Sequence, residues 1–167
     1  STSTTRVVGE PSKFSGEQNR SSGKQGYEIA NSLVENGFDT TLISGPTNLE
    51  PNDNLKLIKV KTGEEMYKKT MELLPCDLAI FTAAVSDFKI KKFNKEKIKK
   101  NKDQSFDLDL NPDILELVSK SNKKPKIVVG FAAESENLFD NARSKLEKKG
   151  CDLIVANDVS NNEIGFE

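Results

Sequence analysis

The side chains able to do chemistry in this sequence include no histidine. Ser-His-Asp and Cys-His arrangements and the usual transition-metal sites need an imidazole as base or ligand. Catalysis would therefore rest on lysine, asparagine, aspartate, backbone amides and a hard cation. Such groups suit anionic substrates, and the sequence holds three local candidates for that role.

The first candidate is the turn Ser21-Ser22-Gly23-Lys24, which precedes apolar residues at helical spacing. A helix that begins here would offer free backbone amides and the positive end of its dipole to an anion. The hydroxyls of Ser21 and Ser22 and the close approach possible at Gly23 favour a phosphate, although an ordinary Ser-Gly helix cap has the same pattern. The order is not that of a Walker loop, and no Gly-x-Gly-x-x-Gly follows a predicted strand.

The second candidate is a lysine-rich segment without glycine, residues 89–102. It is too polar for a core, and we predict a mobile flap that needs a bound anion to become ordered. Lys97, Lys99 and Lys100 could neutralise a triphosphate, since ammonium groups on flexible stems suit phosphate. A solvated run of charge is the alternative interpretation.

The third candidate is Asp87, which follows the continuously apolar run 77–84. Such a run is typical of a strand that is buried on both faces. At its end, Asp87 could accept hydrogen bonds from a base or a sugar, or help to bind Mg²⁺. Capping the turn after the strand would be its purely structural role.

Alternating helices and strands must position these candidates. The predicted helices lie near 23–35, 62–74 and 136–149, with a shorter one opened by Asn111-Pro112-Asp113. The predicted strands are 40–44, 55–60, 77–84, 126–131 and 152–156. This alternation predicts an α/β fold, a Rossmann-like three-layer domain with a mostly parallel central sheet. In such sheets ligands bind beyond the carboxyl ends of the strands.

Two of the helices carry specific expectations. Asn111 is a good N-cap and Pro112 is favoured at the first helical position, so we expect the short helix to begin there. The last predicted helix should bury one apolar stripe. That stripe consists of Leu138, Phe139, Ala142 and Leu146.

Composition narrows the class of partner. The 25 basic and 26 acidic residues nearly cancel, so no global field would attract nucleic acid or a membrane surface. No apolar run approaches the roughly 20 residues of a membrane span, and no secretory signal opens the sequence, so we expect a cytoplasmic protein. Cys76 and Cys151 each open a Cys-Asp-Leu strand start, and we expect both to be reduced.

The 167 residues fit one domain. Residues 1–18 are rich in Ser, Thr, Gly and Pro and show no clear periodicity. We therefore predict that they form a loop, or that they are foreign to the domain, as a tag would be. The domain itself would span residues 19–167.

Six motifs, in this order, resemble those of phosphopantothenoylcysteine synthetases, especially the bacterial type. The resemblance covers residues 19–166. The motifs are Asn-x-Ser-Ser-Gly-Lys, Ala-Ala-Val-Ser-Asp-Phe, Lys-x-Lys-Lys, Asn-Pro-Asp-Ile, Val-Gly-Phe-Ala-Ala-Glu and Ala-Asn-Asp-Val-Ser.

The resemblance implies a ligase of coenzyme A biosynthesis. Family members activate the carboxylate of phosphopantothenate with a nucleoside triphosphate, CTP together with Mg²⁺ in the bacterial type, and release pyrophosphate. The amine of cysteine then displaces CMP and forms an amide. Activation is needed because a carboxylate is a poor electrophile, whereas an acyl-phosphate anhydride has a good leaving group.

The resemblance also implies roles for individual residues. Asn19 resembles the asparagine that acts on the acyl-nucleotide, and Lys97 resembles the lysine needed for nucleotidyl transfer. Ala83 and Ala84 match a small pair beside the acyl group, although strand packing explains them nearly as well. The remaining matches are nucleotide-contacting positions: Asp87, Asn111, Pro112, Asp113, Ile114, Phe131, Lys145 and Lys149.

Two of those positions, Lys145 and Lys149, are four residues apart on one predicted helix. Side chains at this spacing project from the same helical face, so both could meet one anion. Lys99 and Lys100 would help to bind the substrate, and Ser21, Ser22 and Gly23 the nucleotide.

The sequence departs from the family pattern at both ends. Residues 1–18 do not show the usual first strand and its Gly-Gly-Thr type turn, and the sequence stops at Gly-Phe-Glu, before the closing strands and helix that family members usually carry. Family members are dimeric, and in many bacteria the domain follows a flavin-dependent phosphopantothenoylcysteine decarboxylase. The resemblance therefore implies a homodimer and a decarboxylase partner.

Three alternatives stay open. A nicotinamide or nucleotide-sugar oxidoreductase of Rossmann type would need a glycine fingerprint and a Tyr-x-x-x-Lys pair, and binding of CTP but not NAD would argue against it. A non-catalytic nucleotide-binding module would have no need of Asn19. An ATP-using member of the same family shares many of the matched positions.

Overall fold

The computed structural model describes residues 4–8, 24–84 and 113–158. The strands are β1 (Thr4–Val8), β2 (Asp39–Ser44), β3 (Lys56–Lys59), β4 (Leu78–Ala84), β5 (Ile127–Glu134) and β6 (Leu153–Asp158). The helices are α1 (Lys24–Glu35), α2 (Gly63–Glu72), α3 (Ile114–Ser119) and α4 (Leu138–Lys149). All the predicted helices and strands in these ranges are confirmed, with ends that differ by a few residues.

The six strands form one sheet of order β3-β2-β1-β4-β5-β6, and every pair of neighbours is parallel. The chain moves outward from β1 to β3, returns to the centre at β4 and then moves outward to β6. α1 covers one face of the sheet, and α2, α3 and α4 cover the other. The predicted Rossmann-like, three-layer α/β fold is therefore confirmed.

Adjacent residues of the central strands pack into two separate cores. On β2, Leu42 lies in the core beneath α1, whereas Ile43 lies in the core on the opposite face, and both are fully buried. Val7 and Val8 of β1 divide in the same way. Side chains of a strand alternate between faces, so a strand covered on both sides has a continuous apolar sequence.

The prediction of a loop for residues 1–18 is wrong at Thr4–Val8, which form β1. This strand lies at the centre of the sheet and pairs with both β2 and β4. Three of its five residues are polar, so its sequence does not show the continuous apolar run of a buried strand. Nevertheless, Thr5 is fully buried there. Threonine and valine are β-branched and suit a buried strand. The first strand that the family resemblance requires is thus present, and the rest of 1–18 lies outside the described residues.

α3 begins later than the sequence predicts. Its N-cap is Asp113, whose Oδ1 accepts a hydrogen bond from the backbone N–H of Glu116 at 3.0 Å. The prediction that Asn111 caps this helix and that Pro112 is its first residue is therefore wrong. Aspartate caps a helix as well as asparagine does, and its charge is favourable at the positive end of the dipole.

A close contact between α3 and β5 places this helix on the sheet. A Cβ atom added to Gly130 would lie 2.6 Å from Leu115 Cδ2 and 3.0 Å from Ile154 Cδ1. Leu115 is 2% exposed and has little space in which to move aside. Glycine at position 130 therefore allows α3 to pack directly over the strand.

The inward side of α4 differs from the predicted stripe at Phe139, which is 85% exposed. The other three members of the stripe are half-buried, and Lys145 and Lys149 lie on the same side. Lys149 is the most deeply buried of all α4 residues, at 5% exposure. A stripe deduced from apolar residues alone misses charged residues that find partners inside the fold.

The aspartates of the two Cys-Asp-Leu segments, Asp77 and Asp152, accept hydrogen bonds from neighbouring strands at the amino end of the sheet. Asp77 Oδ2 accepts hydrogen bonds from Thr4 N at 2.9 Å and Thr4 Oγ1 at 3.1 Å, and Asp77 Oδ1 pairs with Lys126 at 2.6 Å. Asp152 Oδ2 accepts a hydrogen bond from Val128 N at 2.8 Å. Each aspartate therefore joins the strand that it opens to the neighbouring strand.

The cysteines of these segments are buried and free, as predicted. Burial raises the pKa of the Cys76 thiol to about 11, and burial also raises the pKa of Cys151. Both thiols therefore stay protonated at neutral pH and are poor nucleophiles.

The ion pair and hydrogen bonds of Asp77 should make the free energy of unfolding depend on pH in the acidic range. The hydrogen bond from Lys126, followed by those from Thr4, lowers the pKa of Asp77 to about 2, against about 3.9 in an unfolded chain. A lowered folded-state pKa stabilises the protein above pH ~4, and this contribution is lost as the pH falls from ~4 to ~2.

We expect the urea midpoint to fall less between pH ~4 and ~2 in Asp77→Asn than in the wild type. The exposed loop variant Asp53→Asn should keep the wild-type dependence, and an unchanged slope in Asp77→Asn would contradict the assignment.

None of the helices in residues 24–84 and 113–158 is long and apolar enough to cross a membrane.

Candidate functional site

The strand order reverses between β1 and β4, which are neighbours at the centre of the sheet. The chain therefore leaves the carboxyl ends of these two strands in opposite directions. The crevice at such a point is where parallel α/β sheets bind ligands. α1 follows β1 in the chain. A helix that links two parallel strands presents its N-terminus to the edge of the sheet at which the strands have their carboxyl ends.

β4 is irregular where it reaches the crevice. Its register with β5 shifts between Phe81 and Ala84, and Ala84 then pairs with Phe131. The hydroxyl of Thr82 donates a hydrogen bond to the Val8 carbonyl of β1 at 3.3 Å. Irregularities of this kind redirect a strand next to many active sites.

Three of the predicted site residues lie together at this irregularity. Ala83 and Ala84 form the carboxyl end of β4, and Phe131 is the register partner of Ala84 on β5. Phe131 is half-buried and packs against the core beneath α1. The positions matched to the acyl group and to the nucleotide are therefore adjacent in the sheet.

Two other predicted nucleotide positions, Asp113 and Lys149, form an ion pair between α3 and α4. Lys149 Nζ also lies 3.9 Å from Glu116 Oε2. The side chain of Lys149 is 7% exposed and that of Asp113 is 29% exposed. An ammonium group this deeply buried needs a partner, because the loss of its hydration is costly.

Lys145 pairs with a different carboxylate, that of Glu134 at the carboxyl end of β5. The other carboxylate oxygen, Oε2, accepts a hydrogen bond from Asn141 Nδ2 at 3.1 Å. Asn141 Nδ2 also donates to the backbone oxygen of Glu136 at 2.9 Å. The two lysines of α4 thus contact carboxylates of separate elements, and their binding of one anion stays a prediction.

Sequence reasoning missed Glu134 and Asn141. The signal for Glu134 was available, since it is the polar residue that ends the apolar strand β5, at the edge where parallel sheets bind ligands. Asn141 and Lys145 are four residues apart on α4, so they reach the same neighbour from one helical face. A single sequence gives no means of recognising that this neighbour is Glu134.

Several predicted site residues lie outside the described residues, so their roles stay predictions. The flap 89–102 is also outside them. The residues concerned are Asn19, Ser21, Ser22, Gly23, Asp87, Lys97, Lys99, Lys100, Asn111 and Pro112.

In the parts of the chain that the structure describes, no three His, Cys, Asp or Glu side chains converge to hold a metal ion. Asp87, the residue predicted to contact Mg²⁺, is not in these parts. The binding of Mg²⁺ that the resemblance implies therefore stays a prediction.

The sheet order and the irregular crevice define a doubly wound, parallel α/β domain with its candidate site at the carboxyl edge. The chain belongs to the family of DNA/pantothenate metabolism flavoprotein C-terminal domains, whose sequence pattern matches residues 13–167. This match begins six residues before the predicted domain start at residue 19.

The chain is 41% identical over 145 residues to the coenzyme A biosynthesis bifunctional protein CoaBC of Borreliella burgdorferi. It is 40% identical over 148 residues to the protein of the same name from Haemophilus influenzae. These alignments cover 84% and 87% of the chain but 37% of each relative, so the chain spans little more than a third of their length. The crystal structure of the C-terminal domain of a CoaBC protein matches with a TM-score of 0.72 and 30% identity, over 93% of this chain and 77% of that one.

Proposed function

We propose that this domain is a phosphopantothenate–cysteine ligase of coenzyme A biosynthesis that uses CTP and Mg²⁺. The observation that carries the proposal is the adjacency of Ala84 and Phe131 at the carboxyl edge, beside the point where the strand order reverses. Family resemblance matches the first to the acyl group and the second to the nucleotide. A reaction between a carboxylate and a nucleotide needs these two subsites side by side.

The proposed reaction has two steps. The carboxylate oxygen of phosphopantothenate attacks the α-phosphorus of CTP, and the bond to pyrophosphate breaks. The amine of cysteine then attacks the acyl carbon, CMP leaves, and the amine loses a proton. Mg²⁺ supplies charge neutralisation on the triphosphate when it is bound.

The protein's own residues are assigned to these steps by resemblance. Lys97 stabilises the negative charge that develops on phosphorus, and Lys99 and Lys100 neutralise neighbouring oxygens. The amide of Asn19 polarises the acyl carbonyl when cysteine attacks. The amides at Ser21, Ser22 and Gly23 bind phosphate at the start of α1.

The partners are part of the same proposal. The relatives are named as bifunctional proteins, which supports a decarboxylase flavoprotein joined to or associated with this domain. We propose a cytoplasmic homodimer, as the family resemblance implies.

Nucleotide selectivity tests this proposal and its alternatives in one experiment. We expect calorimetric titration in the presence of Mg²⁺ to show CTP binding that is tighter than ATP binding, with no binding of NAD. Asp87→Asn should weaken the binding of CTP, whereas the exposed loop variant Asp53→Asn should not. Preference for ATP would indicate an ATP-using member, binding of NAD would favour the oxidoreductase, and a folded protein that binds none of them would contradict the proposal.

A further inference from the structure

We propose that Glu134 is a positioning residue that holds the ammonium group of Lys145 in place at the ligand-binding edge of the sheet. The inference rests on the proposed function, because Lys145 is assigned to the nucleotide by resemblance alone. It adds Glu134 and its hydrogen-bond partner Asn141 to the machinery of that site.

The burial of Glu134 is the first reason. Its side chain is 12% exposed, whereas that of Lys145 is 30% exposed. A carboxylate so far removed from water is costly unless both oxygens are bound. Asn141 donates a hydrogen bond to Oε2, whereas the buried Oε1 accepts no hydrogen bond and has the ion pair with Lys145 as its contact. The ammonium group of Lys145 therefore compensates the charge on the oxygen that is otherwise unsatisfied.

The location of the pair is the second reason. Glu134 is the last residue of β5, three residues beyond Phe131 on the same strand, at the edge where parallel sheets bind ligands. Lys145 reaches this edge from α4, and its side chain is 30% exposed. A lysine stem is flexible, so an ammonium without a fixed partner would sample many positions.

The restraint on Asn141 is the third reason. Its side-chain amide donates both to Glu134 Oε2 and to the backbone oxygen of Glu136, at 3.1 and 2.9 Å. Glu136 lies in the turn between β5 and α4. The network therefore joins the end of the strand, the turn and the helix, and it keeps Lys145 in one place relative to the sheet.

The test of this role combines Glu134→Gln with Lys145→Met and follows pyrophosphate release. Glutamine has the shape of glutamate and keeps an oxygen that can accept the hydrogen bond from Asn141. It lacks the negative charge that pairs with Lys145. We expect Glu134→Gln to lower kcat by about tenfold, because a displaced charge loses transition-state stabilisation. The KM for CTP should not rise, since a negative charge is removed near the nucleotide. In the Lys145→Met background, Glu134→Gln should have no further effect on kcat.

A labelling experiment without nucleotide tests the role of Glu134 independently of any ligase activity. An amine-reactive reagent, read out by peptide mass spectrometry, should modify Lys145 several-fold faster in Glu134→Gln than in the wild type. The exposed Lys148 of the same helix is the internal control, and Glu72→Gln on α2 is the matched variant. Unchanged labelling of Lys145, or equal losses of kcat from Glu134→Gln in both backgrounds, would overturn the positioning role. A wild type without pyrophosphate release would instead count against the proposed function, and the labelling would still decide the role of Glu134.

Discussion

Replacing Lys97 with glutamine should slow pyrophosphate release from CTP by about 10²–10³-fold, the effect of removing one group that stabilises developing charge. Glutamine keeps the length and polarity of the side chain but cannot carry a positive charge. The loss should therefore appear mainly in the limiting rate of pyrophosphate release at saturating CTP, because neighbouring lysines still attract the triphosphate. Release of pyrophosphate in a coupled assay, with phosphopantothenate present and cysteine absent, measures this step alone.

Lys95→Gln is the matched control for this prediction. It removes the same charge two residues away in the same lysine-rich segment. If the segment acts only as a diffuse cationic surface, the two variants will lose activity equally. A specific loss in Lys97→Gln would support its role in nucleotidyl transfer, and equal losses would contradict it.

Replacing Lys149 with methionine should reduce the free energy of unfolding by about 2–3 kcal/mol. Methionine keeps most of the buried volume but leaves the Asp113 carboxylate without the ammonium that pairs with it. The cost is expected to lie below the ~3–5 kcal/mol of a fully buried pair, because the Asp113 side chain is 29% exposed. Urea unfolding of the two proteins, followed by circular dichroism, measures the difference.

Two further variants separate the ion pair from other effects at Lys149. Lys148→Met removes the same charge from the same last turn of α4, but its side chain is exposed, so its effect should stay within about 0.5 kcal/mol. Asp113→Asn retains an oxygen able to cap α3, and in the Lys149→Met background it should restore part of the lost stability. Equal destabilisation by both lysine variants, or no recovery in the double variant, would contradict this account.

Most of the fold could be predicted from the sequence because its central strands are covered on both sides. The run 77–84 is apolar throughout, and its length and turn residues identify it as a buried strand. β1 could not be found in this way, since its sequence Thr-Thr-Arg-Val-Val mixes polar and apolar residues. Its place in the sheet comes from pairing with β2 and β4, which are distant in sequence.

The candidate site could be predicted only in part. The placement of Ala84 at the carboxyl end of β4, with Phe131 beside it on β5, agrees with the sequence prediction that these positions lie near one edge of the sheet; their roles stay predictions. The partners of Lys145 and Lys149 could not be predicted, because these contacts join α4 to residues 11 and 36 positions away. Lys145 and Lys149 face the sheet because α4 is rotated about its own axis relative to the predicted orientation. The exposure of Phe139, which was predicted to be buried, shows this rotation.

The most direct test of the central claim is mass spectrometry of a quenched reaction that contains CTP, Mg²⁺, phosphopantothenate and the Asn19→Asp variant. The account predicts that phosphopantothenoyl-CMP accumulates in this variant, with one pyrophosphate released for each acyl-nucleotide formed. In the wild type the same intermediate should disappear when cysteine is added, as CMP and phosphopantothenoylcysteine form. Ligation without any acyl-CMP or CMP, or the absence of pyrophosphate from a wild type that binds CTP, would contradict the proposed chemistry.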